Sequence, residues 1–126
     1  MEKVAGIILL VKDIERSAKF YADLGFTVVK KVPDVATTVG LQNFWVELLS
    51  AERVVTDAYK LHSNVSSRGV GSYLQINVTD VDTFYDQITQ KDIRALSSPK
   101  DYPWGYREFT VQDPDGYILC MYSEIS

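Results

Sequence analysis

The chain has 126 residues, 46% of them hydrophobic, which suits one compact domain with its own core. It carries 13 Lys and Arg residues against 17 Asp and Glu residues, a formal net charge of −4. Such a surface repels phosphate, so a nucleic-acid partner is not expected. The single cysteine, Cys120, excludes an internal disulfide and a multi-thiolate zinc site, and it favours a reducing compartment.

The apolar run at residues 5–11 is too short to cross a membrane, and no small-residue cleavage site follows it. We therefore expect a cytoplasmic protein with no membrane partner.

The first half of the chain predicts a β-α-β-β-β unit. Residues 4–11 are β-branched and apolar on both faces, which predicts a strand at the centre of its sheet. Asp13 as N-cap and Gly25 just past the last turn bracket a helix. Three more strands are predicted at residues 26–32, 35–41 and 44–50.

The second half repeats this order. A strand at residues 72–78 precedes a helix at 80–92, and strands at 93–98, 106–112 and 117–123 follow. The turn Asp113-Pro114-Asp115-Gly116 joins the last two, because proline presets φ and glycine accepts positive φ. Shifting the chain from Asp13 to Asp80 aligns the two strand-to-helix corners, which indicates an internal duplication.

The predicted architecture is therefore α+β, with two βαβββ modules in one domain spanning residues 1–126. The modules cover about residues 1–50 and 72–126. Residues 51–71 join them, and a connector of this length is more often functional or mobile than inert.

Two segments carry a resemblance to a known family. The corner and helix VKDIERSAKFYADLGF and the closing hairpin REFTVQDPDGYIL resemble the vicinal oxygen chelate superfamily, the group of glyoxalases, bleomycin-resistance proteins and extradiol dioxygenases. The resemblance implies that each module is a curved half-barrel sheet. It also implies that two halves enclose one cavity, in one chain or across a homodimer.

Metal-dependent members of this family hold a divalent ion with four inward side chains. The matching positions here are Gly6, Glu47, Tyr73 and Cys120, and only Glu47 is a conventional oxygen ligand. Because Lewis-acid sites need about three suitable protein donors, we expect no metal site and no cofactor. His62, the only histidine, lies in the connector and is expected to be a solvated loop residue.

The segment Trp104-Gly105-Tyr106-Arg107-Glu108-Phe109 is similar to the bleomycin-resistance branch, whose members bind a flat, cationic drug without transforming it. Aromatic faces attract cations and heteroaromatic rings. Because Arg107 and Glu108 are adjacent on a strand, they are expected to point to opposite faces. The predicted ligand-binding residues are Trp45, Glu47, Tyr73, Tyr102, Trp104, Tyr106 and Cys120.

Three of these residues keep a second interpretation. Trp45 also fits the core, and Glu47 also fits a solvated rim if strand alternation turns it away from the cavity. Cys120 is more typical of a buried small hydrophobe than of a reactive thiol. No motif for a catalytic serine, a phosphate loop or a zinc protease is present, so no catalytic residue is predicted.

The favoured hypothesis is a metal-free, homodimeric protein that binds a small molecule and sequesters a cationic or aromatic compound. Whether it is an enzyme stays open, although the missing donors favour a binding protein. One alternative is a metal-dependent lyase, isomerase or dioxygenase of the same fold. Another is an interaction module whose cavity is filled by its own side chains.

Overall fold

The computed structural model describes residues 1–54 and 56–125; Val55, in the predicted connector, and Ser126 lie outside the described residues. Both halves run β-α-β-β-β, and a short helix that was not predicted lies between them. The elements are β1 (Gly6–Val11), α1 (Ile14–Asp23), β2 (Thr27–Val32), β3 (Ala36–Leu41), β4 (Phe44–Ser50), α2 (Asp57–Lys60), β5 (Tyr73–Asn77), α3 (Val81–Thr89), β6 (Lys100–Asp101), β7 (Tyr106–Gln112) and β8 (Ile118–Glu124).

The chain forms two compact units, Met1–Ser66 and Ser67–Ser126, and their boundary falls inside the predicted connector. Each unit has one open, four-stranded mixed sheet, with the order β1-β4-β3-β2 in the first and β5-β8-β7-β6 in the second. In each sheet the first strand runs parallel to its neighbour and the other pairs are antiparallel. The predicted α+β fold of two βαβββ modules is confirmed.

Both long helices begin at the predicted aspartates. The Asp13 carboxylate accepts a hydrogen bond from the Arg16 amide at 3.1 Å. The Asp80 carboxylate accepts from the amides of Asp82 and Thr83 at 3.1 and 3.2 Å. These carboxylates satisfy amides that have no partner inside the helix, so each cap fixes where its helix starts. Among the described residues, no helix is long and apolar enough to cross a bilayer.

The two long helices, α1 and α3, each pack on one face of their own sheet, where the core lies. The fully buried side chains of the first unit include Val11, Tyr21, Val39, Val46 and Leu48, and those of the second include Val81, Ile88, Phe109, Val111, Leu119 and Met121. Strand alternation sends the neighbouring residues to the opposite face of each sheet.

We call these opposite faces the open faces. The open face of the first unit carries Gly6, Ile8, Thr38, Trp45 and Glu47. The open face of the second unit carries Tyr73, Gln75, Tyr106, Glu108, Thr110, Cys120 and Tyr122. All the predicted ligand-binding residues that lie on strands are on these two faces.

The predicted position of the first strand was wrong. β1 is an edge strand in the sheet of its unit, and Ile7 and Ile8 are 40% and 42% exposed. Apolar residues on both faces of a strand indicate that its side chains contact other apolar groups, whereas the position of the strand in a sheet depends on hydrogen bonding to neighbouring strands.

The strand predicted at residues 93–98 was also wrong. This segment makes one isolated bridge, between Ala95 and Val111, and the two-residue β6 begins only at Lys100. Ile93 is nevertheless buried. The apolar residues of the segment therefore pack into the core without forming a strand ladder.

Candidate ligand-binding site

A recess of about 400 Å³ lies on the open face of the first unit. Trp45 and Glu47, both predicted as ligand-binding residues, are two positions apart on β4 and line it together. Trp45 is 38% exposed, so it is not a core residue, and Glu47 is half-buried. The lining residues are Ala5, Gly6, Ile7, Ile8, Val29, Lys30, Thr38, Trp45 and Glu47.

Two glycines allow Trp45 to lie against the sheet. A Cβ added to Gly40 would approach the indole ring of Trp45 to 2.7 Å, and a Cβ added to Gly6 would overlap the Trp45 carbonyl oxygen. Glycine in a strand commonly marks such a close approach. The indole therefore occupies surface that a side chain at Gly40 would otherwise fill, and Gly6 lets the main chain of Trp45 approach β1.

Glu47 shares its recess with a positively charged side chain. Lys30 lines the same recess, although no ion pair joins the two side chains in the described part of the chain. A ligand in this recess would therefore meet both the carboxylate of Glu47 and the ammonium group of Lys30.

The open face of the second unit is richer in aromatic side chains. The rings of Tyr102 and Trp104 stack with centroids 4.6 Å apart and planes 13° apart. Tyr106 stacks on Tyr122 at 4.2 Å and 24°. The loop before β7 closes through a hydrogen bond from the Tyr102 amide to the Tyr106 carbonyl at 2.8 Å, with Gly105 at φ 90°. This turn leaves Trp104 59% exposed beside the sheet.

Glu108 links this aromatic loop to the sheet. Its Oε1 accepts a hydrogen bond from Trp104 Nε1 at 2.8 Å, and its Oε2 accepts one from Cys120 Sγ at 3.1 Å. Glu108 lies on β7, two positions after Tyr106, so alternation puts both side chains on the open face. The carboxylate thus lies between an exposed indole and a buried thiol.

The Cys120 thiol is held in its protonated form. Burial raises the pKa of Cys120 to about 12, and the hydrogen bond to Glu108 and the charge of Glu108 act in the same direction. Because the thiolate is the nucleophilic form of cysteine, this site disfavours nucleophilic chemistry at neutral pH.

Tyr73 lies at the start of β5 and is 63% exposed. It is opposite Ile118, two pairs away from the Gln75–Cys120 pair, and alternation puts it on the same face as Cys120. The structure therefore places Tyr73 beside β8, the strand that carries Cys120, at the rim of the second unit's open face.

Sequence reasoning missed two residues of this face. Glu108 lies two positions after Tyr106 on β7, and Tyr122 lies two positions after Cys120 on β8. Strand alternation from these predicted residues would have found both.

Arg107 points away from the site, as the adjacency of Arg107 and Glu108 predicts. Its Nε and Nη2 each donate to one carboxylate oxygen of Asp82 at 3.0 Å, and its Nη1 donates to Asp101 at 3.1 Å. Arg107 thereby joins the start of α3 to β6 and leaves the open face to Glu108.

A metal centre fits these residues poorly. The family position on β1 is Gly6, which has no donor and no room for a side chain beneath Trp45. The position on β8 is Cys120, whose thiol donates to Glu108. Within residues 1–54 and 56–125, no cluster of three or more His, Cys, Asp or Glu side chains suits a metal ion. The other two family positions are Glu47 and Tyr73, and of these Glu47 alone is a conventional metal ligand.

A wider cleft of about 590 Å³ lies at the start of α1, and none of the predicted site residues line it. Its charges are mixed, with Lys31 paired to Glu15 at 3.4 Å. The lining residues are Lys12, Asp13, Ile14, Glu15, Arg16, Lys31, Asp34, Thr37, Ser50, Glu52 and Arg53. Volume alone therefore does not identify the site.

Comparison with known proteins places this geometry in a family. A bleomycin resistance protein from Geobacillus stearothermophilus is 30% identical over 127 residues, covering 93% of each chain. A superfamily member from Sphaerobacter thermophilus has a TM-score of 0.74 at 24% identity, covering 98% of both chains. A family enzyme from Burkholderia phytofirmans has a TM-score of 0.79 at 15% identity, covering 96% of this chain and 98% of its own. At these identities the two structures show the fold alone.

The family's sequence profile matches residues 3–121, nearly the whole chain. The chain therefore belongs to the Glyoxalase/Bleomycin resistance protein/Dioxygenase superfamily.

Proposed function

We propose that this protein binds a small organic molecule without a metal ion and sequesters it, as a member of the bleomycin-resistance type. The observation that carries the proposal is the open face of the second unit. There an exposed indole, stacked on Tyr102, lies beside a carboxylate on a sheet that also presents the Tyr106–Tyr122 pair. Exposed aromatic faces with a few placed polar groups are typical of small-molecule sites.

The expected ligand is cationic or aromatic. Ring faces carry negative charge density, which attracts cations, and they stack on flat heteroaromatic rings. The relative named bleomycin resistance protein supports this type of ligand. The proposed binding residues are Trp45 and Glu47 in the first unit and Tyr73, Tyr102, Trp104, Tyr106 and Cys120 in the second.

The alternative is a metal-dependent lyase, isomerase or dioxygenase of the same superfamily. Gly6 argues against it, since a donor at this position would require the backbone at Trp45 to move. Cys120 also argues against it, because its thiol donates to a carboxylate and does not act as a thiolate ligand. Metal analysis of the purified protein tests this point: stoichiometric metal that raises the melting temperature would contradict a metal-free binding protein.

The binding proposal is tested with 2-naphthamide, a flat neutral aromatic, by isothermal titration calorimetry. Trp104→Ala removes the exposed indole and should weaken binding about tenfold or more, ~1.4 kcal/mol. Tyr59→Ala is the matched control, since Tyr59 is an exposed aromatic on α2, outside the proposed binding residues. Equal affinities of the wild type and Trp104→Ala would contradict the assignment of the site.

We also propose that the protein is a homodimer, as the family resemblance implies, and that it is cytoplasmic, as its single cysteine favours. Size-exclusion chromatography with light scattering tests the oligomeric state, and a monomer at micromolar concentration would contradict the dimer.

A further inference from the structure

We infer that Glu108 selects the charge of the ligand, and that the ligand is an aromatic compound bearing an amidinium, guanidinium or ammonium group. This inference rests on the proposed binding function of the second unit's open face. It assigns the role of anionic anchor to a residue on β7 that is not one of the positions matching the family's metal ligands.

The partners of Glu108 orient its carboxylate without neutralising it. Trp104 Nε1 and Cys120 Sγ are both uncharged donors, and each takes one carboxylate oxygen. A carboxylate offers about four acceptor positions, so about two stay available. In the part of the chain that the structure describes, no Lys or Arg forms an ion pair with Glu108. A charged hydrogen-bond donor from the ligand would therefore find a fixed acceptor.

The two positively charged residues nearest to Glu108 in the strand register do not neutralise its carboxylate. Arg107 is on the other face of β7 and is engaged by Asp82 and Asp101. Lys100 lies opposite Glu108 in the register of β6 and β7. Its charge competes with a bound cation without forming an ion pair, so Lys100 weakens the preference of the site and does not remove it.

The aromatic part of the ligand is recognised beside the carboxylate. The indole whose N–H holds Glu108 is 59% exposed although Tyr102 stacks on it, so part of its surface is available to a flat ring. A cation next to an aromatic face gains about 0.5–2 kcal/mol from the ring quadrupole. A ligand that combines a flat ring with a donating cation would use both groups at once.

Glu47 is less suited to select a cation. Each carboxylate has a lysine on its face, Lys30 in the recess of Glu47 and Lys100 opposite Glu108, but two neutral donors fix Glu108 and no described side chain holds Glu47 in this way. The two carboxylates therefore differ in what surrounds them, although both lie on open faces.

A pair of matched probes tests the inference. 2-Naphthamidine and 2-naphthamide have the same shape, but only the first carries a positive charge and a bidentate donor. We expect calorimetry to show about tenfold tighter binding of 2-naphthamidine. Glu108→Gln should reduce the ratio of the two affinities to about one. Lys100→Gln should increase the ratio, because it removes the competing charge.

The matched control is Glu52→Gln, the same change at an exposed residue outside this face, which should leave the ratio unchanged. Thermal unfolding of each variant verifies that it is folded, and Lys100→Gln keeps the test valid if Glu108→Gln is unstable. Equal affinities of the two probes in the wild type would overturn the inference while leaving the proposed function standing. A ratio that survives Glu108→Gln, or that is lost in Glu47→Gln instead, would also overturn it. Binding of neither probe would overturn both proposals.

Discussion

The two open faces have the same backbone and different chemistry. Glu47 on β4 is opposite Thr38, and Cys120 on β8 is opposite Thr110, so these residues occupy corresponding positions of the two sheets. Two pairs further along, the first unit has Leu49 opposite Ala36, whereas the second has Tyr122 opposite Glu108. The carboxylate that we compare with Glu47 of β4 thus belongs to Glu108 of β7, which is the counterpart of β3.

The neighbours of each carboxylate differ as well. In the first unit the carboxylate of Glu47 shares its recess with Lys30, and the ring of Trp45 lies against Gly40. In the second unit neutral donors hold Glu108 beside stacked rings. Strand topology thus sets where side chains point, while the residues around a carboxylate decide which ligand it can bind.

The largest expected effect concerns Cys120, the counterpart of Glu47. Because the pKa of Cys120 is raised to about 12, the thiolate fraction at pH 8 should be on the order of a thousandfold below that of a free thiol. Alkylation by iodoacetamide, followed by mass spectrometry, should be correspondingly slow. The rate should keep rising with pH above about 9, where that of a free thiol levels off.

Glu108→Gln sharpens this test, because it removes the negative charge that disfavours the thiolate. The alkylation rate should increase in this variant, since the pKa of Cys120 should move down toward its ordinary value. The urea-unfolded protein is the control and should react like a free thiol. Rapid alkylation of the native wild type at pH 8 would contradict the picture of a protonated, buried thiol.

An intermediate effect is expected at the glycines of the first unit. Gly6→Ala should lower the free energy of unfolding by about 1–3 kcal/mol, since the new Cβ overlaps the Trp45 carbonyl and the backbone cannot rotate away. Gly40→Ala should cost less, because it meets the Trp45 ring, which can move. Urea unfolding curves measure both values.

A double mutant separates the two mechanisms. In a Trp45→Ala background, the cost of Gly40→Ala should disappear, whereas that of Gly6→Ala should persist because its obstacle is main chain. If Gly40→Ala lowered the free energy of unfolding equally with and without Trp45, that result would contradict the role of the indole. It would also weaken the contrast between a face filled by Trp45 and a face organised by Glu108.

Local chemistry made most of the fold predictable. Asp13 and Asp80 mark the helix starts because a short carboxylate satisfies free amides, and this signal lies within three residues of each cap. Alternation correctly separated Arg107 from Glu108. The edge position of β1 was not predictable in this way, because strand order is decided by hydrogen bonds between distant segments.

The site was only partly predictable for a similar reason. Trp104 was found from its loop motif, but the partners of Glu108 come from that loop and from β8, 12 positions away. No local pattern links Glu108 to Cys120. The sequence therefore indicates which strands carry the proposed binding residues, while the hydrogen bonds that orient the carboxylate depend on the register of β7 and β8.

The smallest expected effect concerns how each helix is attached to its sheet. α1 is held by buried side chains, including Phe20 and Tyr21, whereas the start of α3 is also joined to β6 through Arg107. The hydrogen bond from Arg107 lowers the pKa of Asp82 below its ordinary value. This ion pair is exposed, so its contribution to stability should be small and sensitive to salt.

Asp82→Asn should lower the melting temperature slightly at neutral pH. An aspartate with a depressed pKa stabilises the fold above its unfolded-state pKa and loses that contribution as the pH falls through the folded-state pKa. The difference between Asp82→Asn and the wild type should therefore shrink on acidification and in high salt. Asp57→Asn is the matched control, because Asp57 makes a surface ion pair on α2 with Lys60 at 3.7 Å. A difference that stays constant from neutral to acidic pH would show that the charge of Asp82, and with it the ion pair to Arg107, does not stabilise the fold.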